Sequence, residues 1–412
     1  MSLVLLGVAV YWLVLAVNAL KPRYRPPFLA AVSFFPAWLL TERLPLRLGL
    51  QVAFVSLLAG FGALGDWRGW TGLGVCVTAW GLMGISLRHS LGARRLTERA
   101  LRADLGGDGT GALATPLPRL RWSQVWIPWP LRPRDVEKQR NVPYRQVDGI
   151  SLGMDIIRGR DTPPGAPFLM FIHGGGWVIG HKDKQGLPLM YHLAQRGWIC
   201  CAPSYRLAPR GSLPQMVQDC KDAVRWIREH AEELGGDPSF LALYGGSAGG
   251  HLASLLALTA GDARWQPGFE EADTGIQACV SFYGIYDLLD EQRLWPHGGM
   301  ARLLERHVLK HPLASHRALY ESLSPLHRIH AEAPPFCLLH GSLDNLAPVA
   351  GARHFATRLR AVSRAPVVYV EYPRAHHAFE VFPSLRCMAG VHGAARFLST
   401  VHASCAGHAS SR

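Results

Sequence analysis

Met1 to Leu20 carries no charged side chain, and acidic residues stay scarce well beyond it. Up to Arg140 there are 17 Lys and Arg against 7 Asp and Glu, whereas the rest of the chain has 26 against 23. The net charge of +13 therefore belongs to the front third of the 412 residues. Such an excess can mark a nucleic-acid partner. Zinc, homeodomain and RNA-binding signatures are missing, however, and the charges flank apolar runs, so membrane flanks are expected and no nucleic acid. The eight cysteines (Cys76, Cys200, Cys201, Cys220, Cys279, Cys337, Cys387 and Cys405) lack small-domain spacing and paired CxxC units, which argues against a disulfide framework and a zinc site. Reduced, buried thiols are expected, in keeping with a reducing compartment. No internal repeat or long low-complexity tract occurs.

What is present at the front is apolar length. Met1 to Leu20 spans a bilayer core of roughly 30 Å as a helix. A cleaved signal peptide is the competing reading, with Val17-Asn18-Ala19 as the cleavage site, but a basic n-region is missing and more apolar segments follow. Leu48 to Gly65 and Trp70 to Leu87 are two further runs, expected to form a helical hairpin around Asp66-Trp67-Arg68-Gly69. Phe28 to Leu40 is short and interrupted by Pro36, which suits a re-entrant or interfacial piece or a fourth span. Lys21, Arg23, Arg25, Arg43 and Arg47 follow the first span, and Arg88, Arg94, Arg95, Arg99 and Arg102 follow the last. That asymmetry predicts a multi-pass membrane region over 1–90 with the segment beyond Leu87 on the cytoplasmic side. Membrane lipids are then partners of this region, while nothing in the pattern selects an oligomeric state. Residues 91–140 form a basic stretch in which Trp122, Trp126 and Trp129 stand among Pro118, Pro128 and Pro130, a composition suited to a membrane interface, a linker or a cap.

From about Tyr144 short β-rich runs alternate with helical stretches, which predicts an α/β fold with a mostly parallel sheet covered by helices over 141–412. Asp148-Gly149 marks a hairpin turn between the first two runs. Pro167 to Ile172, Trp198 to Ala202, Phe240 to Tyr244, Ala278 to Phe282, Phe336 to Leu339 and Val367 to Tyr372 are the further strands. Ligands of such sheets bind beyond the strands' carboxyl ends, so the following turns are the places to look for chemistry.

Gly245-Gly246-Ser247-Ala248-Gly249 lies between an apolar strand and a helical run, the setting of a G-x-S-x-G nucleophile elbow, and makes Ser247 the predicted nucleophile. His173-Gly174-Gly175-Gly176-Trp177 follows another strand. Its glycines leave amides open to a developing oxyanion, with the Ala248 N–H as a further donor. In this elbow-bearing fold the acid and the histidine follow the serine along the chain. Asp344, a few residues beyond the strand at Phe336, is the candidate acid, and His376 or His377, after the last strand, the candidate base. Serine is a weak nucleophile, so an imidazole must take its proton and return it to the leaving group, with a carboxylate fixing the tautomer. That chemistry needs no metal and no organic cofactor.

HGGGW at 173–177, YRLAP at 205–209, GGDPS at 235–239, GGSAGG at 245–250 and HAF at 377–379 together resemble the hormone-sensitive-lipase branch of the α/β-hydrolases, over about Tyr144 to Val401. The resemblance implies an α/β-hydrolase fold and a serine carboxylesterase or lipase. It selects His377 as base and Gly175 and Gly176 as oxyanion donors beside Ala248. The family usually has Asp immediately before the nucleophile, where this chain has Gly246. The departure leaves the elbow intact, but a relative's acyl or alcohol preference does not carry over. Leu288 to Leu323 is an insertion that can act as a second cover or as a plain crossover. The expectation is hydrolysis of lipophilic esters by a membrane-anchored enzyme. The alternatives are amide hydrolysis, deacetylation or acyl transfer on the same triad, or a ligand-binding module that keeps the pocket without the reaction.

Overall fold

The computed structural model describes residues 1–106, 116–118, 126, 129–295 and 298–409. Trp122 and Pro128 of the expected interfacial stretch lie outside the described residues. Helices α1 (Ser2–Leu20), α2 (Pro27–Glu42), α3 (Leu44–Gly60) and α4 (Trp67–Asp104) come first. Strands β1 (Val136–Val147), β2 (Ile150–Gly159), β3 (Ala166–Ile172), β4 (Ile199–Pro203), β5 (Gly236–Gly246), β6 (Ala278–Phe282), β7 (Phe336–Gly341) and β8 (Val367–Tyr372) form one sheet.

Its order is β1-β2-β4-β3-β5-β6-β7-β8, with β1, β2 and β4 pairing antiparallel and every later pair parallel. Asp148 and Gly149 both take positive φ, which lets a two-residue turn join Val147 to Ile150. β3, β4 and β6 are buried along their whole length, as strands covered on both faces must be. The covering helices include α5 (Leu187–Ala194), α6 (Leu213–Glu229), α7 (Ala248–Ala257), α10 (Val349–Val362) and α11 (Leu385–Ala409), while the short α8 (Gly299–Leu303) and α9 (Arg317–Ser322) lie in the β6–β7 crossover. Leu304, Val308, Tyr320 and Leu323 of that crossover are buried in the same core as α6 and α7. This is the fold expected from the sequence.

α1 and α4 are each long and apolar enough to cross a membrane. They run side by side in one direction: a Cβ on Gly72 would stand 3.0 Å from the Leu6 amide, and further along Ala19 and Met83 share a cluster. The run expected as a span from Leu48 to Gly65 is α3, which starts earlier and ends earlier, and the undecided Phe28 to Leu40 run lies within α2. The two meet at a bend of 86°. Arg43, with φ of −115°, leaves the helical region there, and Pro45 opens α3. Proline at a helix's first turn costs no hydrogen bond, so this is a natural restart.

At 38 residues α4 is about 57 Å long, well beyond a bilayer core. Its last turns belong to the sheet domain. Thr97 bonds the Tyr372 hydroxyl at 2.7 Å, and Asp104 pairs with Arg360 at 2.7 Å and accepts from the Tyr369 amide at 3.2 Å. All eight cysteines are free, and only Cys405 is exposed.

Candidate active site

β5 ends in the turn that carries Ser247, which sits at φ 57° and ψ −122° just before α7. A non-glycine residue there is strained, and the turn tolerates it because its neighbours are minimal. A Cβ on Gly245 would come within 2.2 Å of the Gly249 carbonyl oxygen, and one on Gly249 within 2.0 Å of the Ile172 oxygen. The Ser247 amide donates to the Phe282 carbonyl at 2.9 Å, which pins the elbow to the end of β6.

The glycine loop after β3 crosses this elbow. A Cβ on Gly174 would stand 3.2 Å from that of Ser247, and Gly175 and Gly176 take φ of +124° and +60°. Among the described residues no carbonyl accepts from the amides of Gly175, Gly176 or Ala248. The loop is held from several sides. Gln185 accepts from the Gly174 amide at 2.8 Å, and the Tyr205 hydroxyl donates to the His173 carbonyl at 2.8 Å while its ring stacks on the imidazole. Burial pushes His173 down to about 4, so it stays neutral. Trp177 donates to His251 of α7 at 3.4 Å, which links the loop to the helix that follows Ser247.

Asp344 lies beyond β7 and is 1% exposed. Its Oδ1 accepts from the amides of Leu346 and Ala347 at 2.9 and 2.7 Å, and its Oδ2 faces His377 Nδ1 at 2.6 Å and His340 Nε2 at 3.2 Å. Burial pushes this carboxyl up, but the His377 imidazole and the bonds from His340 and His377 outweigh it and hold the group below the usual range. His376 is turned away: its Nε2 meets the Ala19 carbonyl of α1 at 3.0 Å. The Tyr283 ring ties His377 to the elbow, its centroid 4.4 Å from that of the imidazole and its hydroxyl 2.9 Å from where a Gly246 Cβ would stand.

The front helices build one wall of this site. The Phe34 ring meets the His377 ring edge-on, Trp38 donates to the Ala378 carbonyl at 2.8 Å, and Trp38 stacks on Phe382. Asn345, next to Asp344, donates to the Arg23 and Ala30 carbonyls, each at 2.9 Å. Glu42 pairs with Arg386 at 3.2 Å, both fully buried. Motif reading missed Phe34, Trp38, Asn345, Tyr283 and Glu380, none of which lies inside a recognisable pattern. Only the position of Glu380, three residues after His377, carried any hint. Among the described residues no cluster of His, Cys, Asp and Glu is arranged to hold a metal ion.

The sequence matches the BD-FAE family model over residues 154–359. It is 39% identical over 406 residues to the probable carboxylic ester hydrolase LipM of Mycobacterium tuberculosis, covering 94% of this chain and 90% of that protein. Esterase LipQ of the same organism is 40% identical over 278 residues, or 67% of this chain and 65% of the relative. Among solved structures, esterase 2 of Thermogutta terrifontis phosphonylated by sarin aligns over 60% of this chain and 87% of its own, at 28% identity and a TM-score of 0.53.

Proposed function

Because this chain belongs to the carboxylic ester hydrolases of the α/β-hydrolase superfamily, in the hormone-sensitive-lipase branch, we propose that Ser247, His377 and Asp344 are its triad and that its esters are lipophilic ones drawn from the bilayer. The Ser247 hydroxyl attacks the ester carbonyl as His377 takes its proton, and the amides of Gly175, Gly176 and Ala248 receive the oxyanion. Collapse of that intermediate expels the alcohol, which takes the proton back from His377. Water, deprotonated by the same imidazole, then attacks the acyl-enzyme and releases the acid. Asp344 keeps Nδ1 protonated and supports the imidazolium through the 2.6 Å contact.

The observation that carries the substrate reading is the origin of the wall beside His377: Phe34 and Trp38 come from α2, between the two long apolar helices. We place α2 flat along the membrane surface beneath the catalytic domain, with α1, α3 and α4 crossing. Val55 and Leu58 of α3 pack with Leu5 near the start of α1, whereas Asn345 and Arg386 meet α2 near its two ends. An acyl chain leaving the bilayer would then pass the aromatic side chains of α2. Alignment to LipM over 94% of this chain takes in most of the front region, which supports treating it as part of the enzyme.

The basic flanks agree in direction. Arg23 contacts Asn345, Arg43 lies over Phe382 at 4.5 Å, and the Arg-rich half of α4 packs on the catalytic domain. All three groups stand on the catalytic side, which the positive-inside rule assigns to the cytoplasm.

The test uses the full chain. A fluorophosphonate should label wild type at Ser247, and Ser247→Ala should lose both labelling and ester turnover; persisting turnover in that variant sinks the triad. Rates for esters of rising acyl length, presented in vesicles, should climb with length, and a flat series would remove the lipophilic reading. Protease added outside intact cells should spare the catalytic domain.

A further inference from the structure

Gly246 has no side chain, and the space that one would occupy is already taken. A Cβ there would stand 2.9 Å from the Tyr283 hydroxyl and 3.2 Å from Oε1 of Glu380. The Tyr283 hydroxyl donates to Oε2 of the same carboxylate, and the Tyr244 hydroxyl donates to Oε1 at 3.4 Å. Glu380 is 1% exposed and stands in an aromatic surround: Phe379 precedes it in the chain and packs on Phe282, Tyr283 and Tyr372. A buried carboxylate costs several kcal/mol unless its oxygens are bonded, so its retention here asks for a reason.

Tyr283 supplies one. Its hydroxyl reaches the residue before the nucleophile, and its ring lies against the His377 imidazole with centroids 4.4 Å apart. Whatever holds the phenol therefore holds the surface that the imidazole rests on. The groups facing Glu380 are the Tyr283 and Tyr244 hydroxyls from the ends of β6 and β5, His377 from the same loop, and Cys387 of α11, whose thiol donates to the Glu380 carbonyl at 3.1 Å.

We propose that Glu380 is a positioning residue for the acyl transfer: its carboxylate, coming from the histidine loop into the space beside Gly246, clamps Tyr283 so that the ring braces His377, and adds a second negative group near the imidazole. This rests on the triad reading above. Gly246 and Glu380 are then two halves of one arrangement, the absent side chain making room for the carboxylate that arrives from another loop. Burial pushes the Glu380 carboxyl up to about 7, against the Tyr283 bond and the nearby imidazole, so its charge responds to pH in the range where His377 must act.

The experiment compares full-length wild type, Glu380→Gln and Tyr283→Phe on one ester, with fluorophosphonate labelling in parallel. Gln keeps an acceptor for the phenol and removes the charge, while Phe keeps the ring and removes the bond. Both are expected to stay folded with KM within about twofold, and kcat to fall about ten- to a hundredfold. Glu380→Gln should also make the acid limb of kcat/KM shallower, because the variant lacks the second group that takes up a proton near 7. A lower melting temperature with kcat and the acid limb unchanged would mean that Glu380 serves packing alone, and would overturn the proposal. If Glu380→Gln does not fold, Tyr283→Phe decides: reduced kcat supports the clamp and unchanged kcat removes it. Wild type unlabelled at Ser247 would overturn the triad instead, so the two failures are distinct.

Discussion

Phe34 stands edge-on to His377, ring centroids 6.1 Å apart and planes at 75°, although 343 positions separate the two along the chain. A side chain from the apolar front of the molecule thus touches the proposed general base. The contact joins the front helices, two of which are long and apolar enough to cross a membrane, to the proposed site of ester cleavage.

Phe34→Ala should open the wall without touching the proton path. We expect kcat on a short acyl ester within about threefold of wild type, and a loss of kcat/KM on long acyl esters of about ten- to a hundredfold, the range that one to three kcal/mol of apolar contact allows. A chain-length series of initial rates checks this. Equal losses on short and long esters would make Phe34 a support for His377 rather than a wall for the acyl chain.

Asp344→Asn keeps the shape and removes the charge that holds His377 Nδ1–H. Turnover should fall by about 10³- to 10⁴-fold with KM little changed. The carboxyl is depressed in the folded state, so its contribution to stability is complete above the unfolded value near 4 and is lost as pH falls through the lower folded value. Acid unfolding followed by circular dichroism should therefore be steeper below about pH 4 in wild type than in the variant.

His376 and His377 are neighbours with different tasks. His377→Gln should abolish turnover, while His376→Gln should keep the chemistry and weaken the tether to the Ala19 carbonyl. Burial holds His376 down to about 4, so the neutral ring is the folded form. Its contribution to stability is present above the unfolded value near 6.5 and erodes as pH falls from there through about 4. Melting temperatures between pH 7 and pH 4 should drop less for His376→Gln than for wild type.

Glu42 and Arg386 join α2 to α11 across a fully buried contact. Removing one partner strands a charge, so Arg386→Met is expected to cost about 3 to 5 kcal/mol, and Arg386→Met with Glu42→Gln to recover much of that loss. Thermal melts in detergent check the pair. A double variant no better than the single one would show that the bonds of Arg386 to Ser86 in α4, rather than the pair, hold the region together.

Much was legible in the sequence because the constraints are local. The elbow needs small residues two before and two after Ser247, since Gly249 passes under the Ile172 carbonyl and Gly245 under Gly249, and that demand is written within five residues. Strands buried on both faces are apolar apart from a side chain whose hydroxyl finds a partner, as Ser281 does, and the apolar run from Ala278 to Phe282 matches β6 at both ends. The Asp148-Gly149 turn is likewise local, two positive φ angles that few other pairs would supply.

Tertiary structure alone decided what depends on distance along the chain. Pattern could not separate His376 from His377 without the family comparison, because only packing turns one ring to Asp344 and the other to Ala19. Nor could it place α2, whose apolar residues suit a bilayer and a protein wall equally; Asn345, Ala378 and Arg386 select the wall. Glu380 is the sharpest case. A carboxylate three residues after His377 is no more than a hint until folding brings Tyr283 and the empty side of Gly246 to meet it, since burial and hydrogen-bond partners are properties of the packed state.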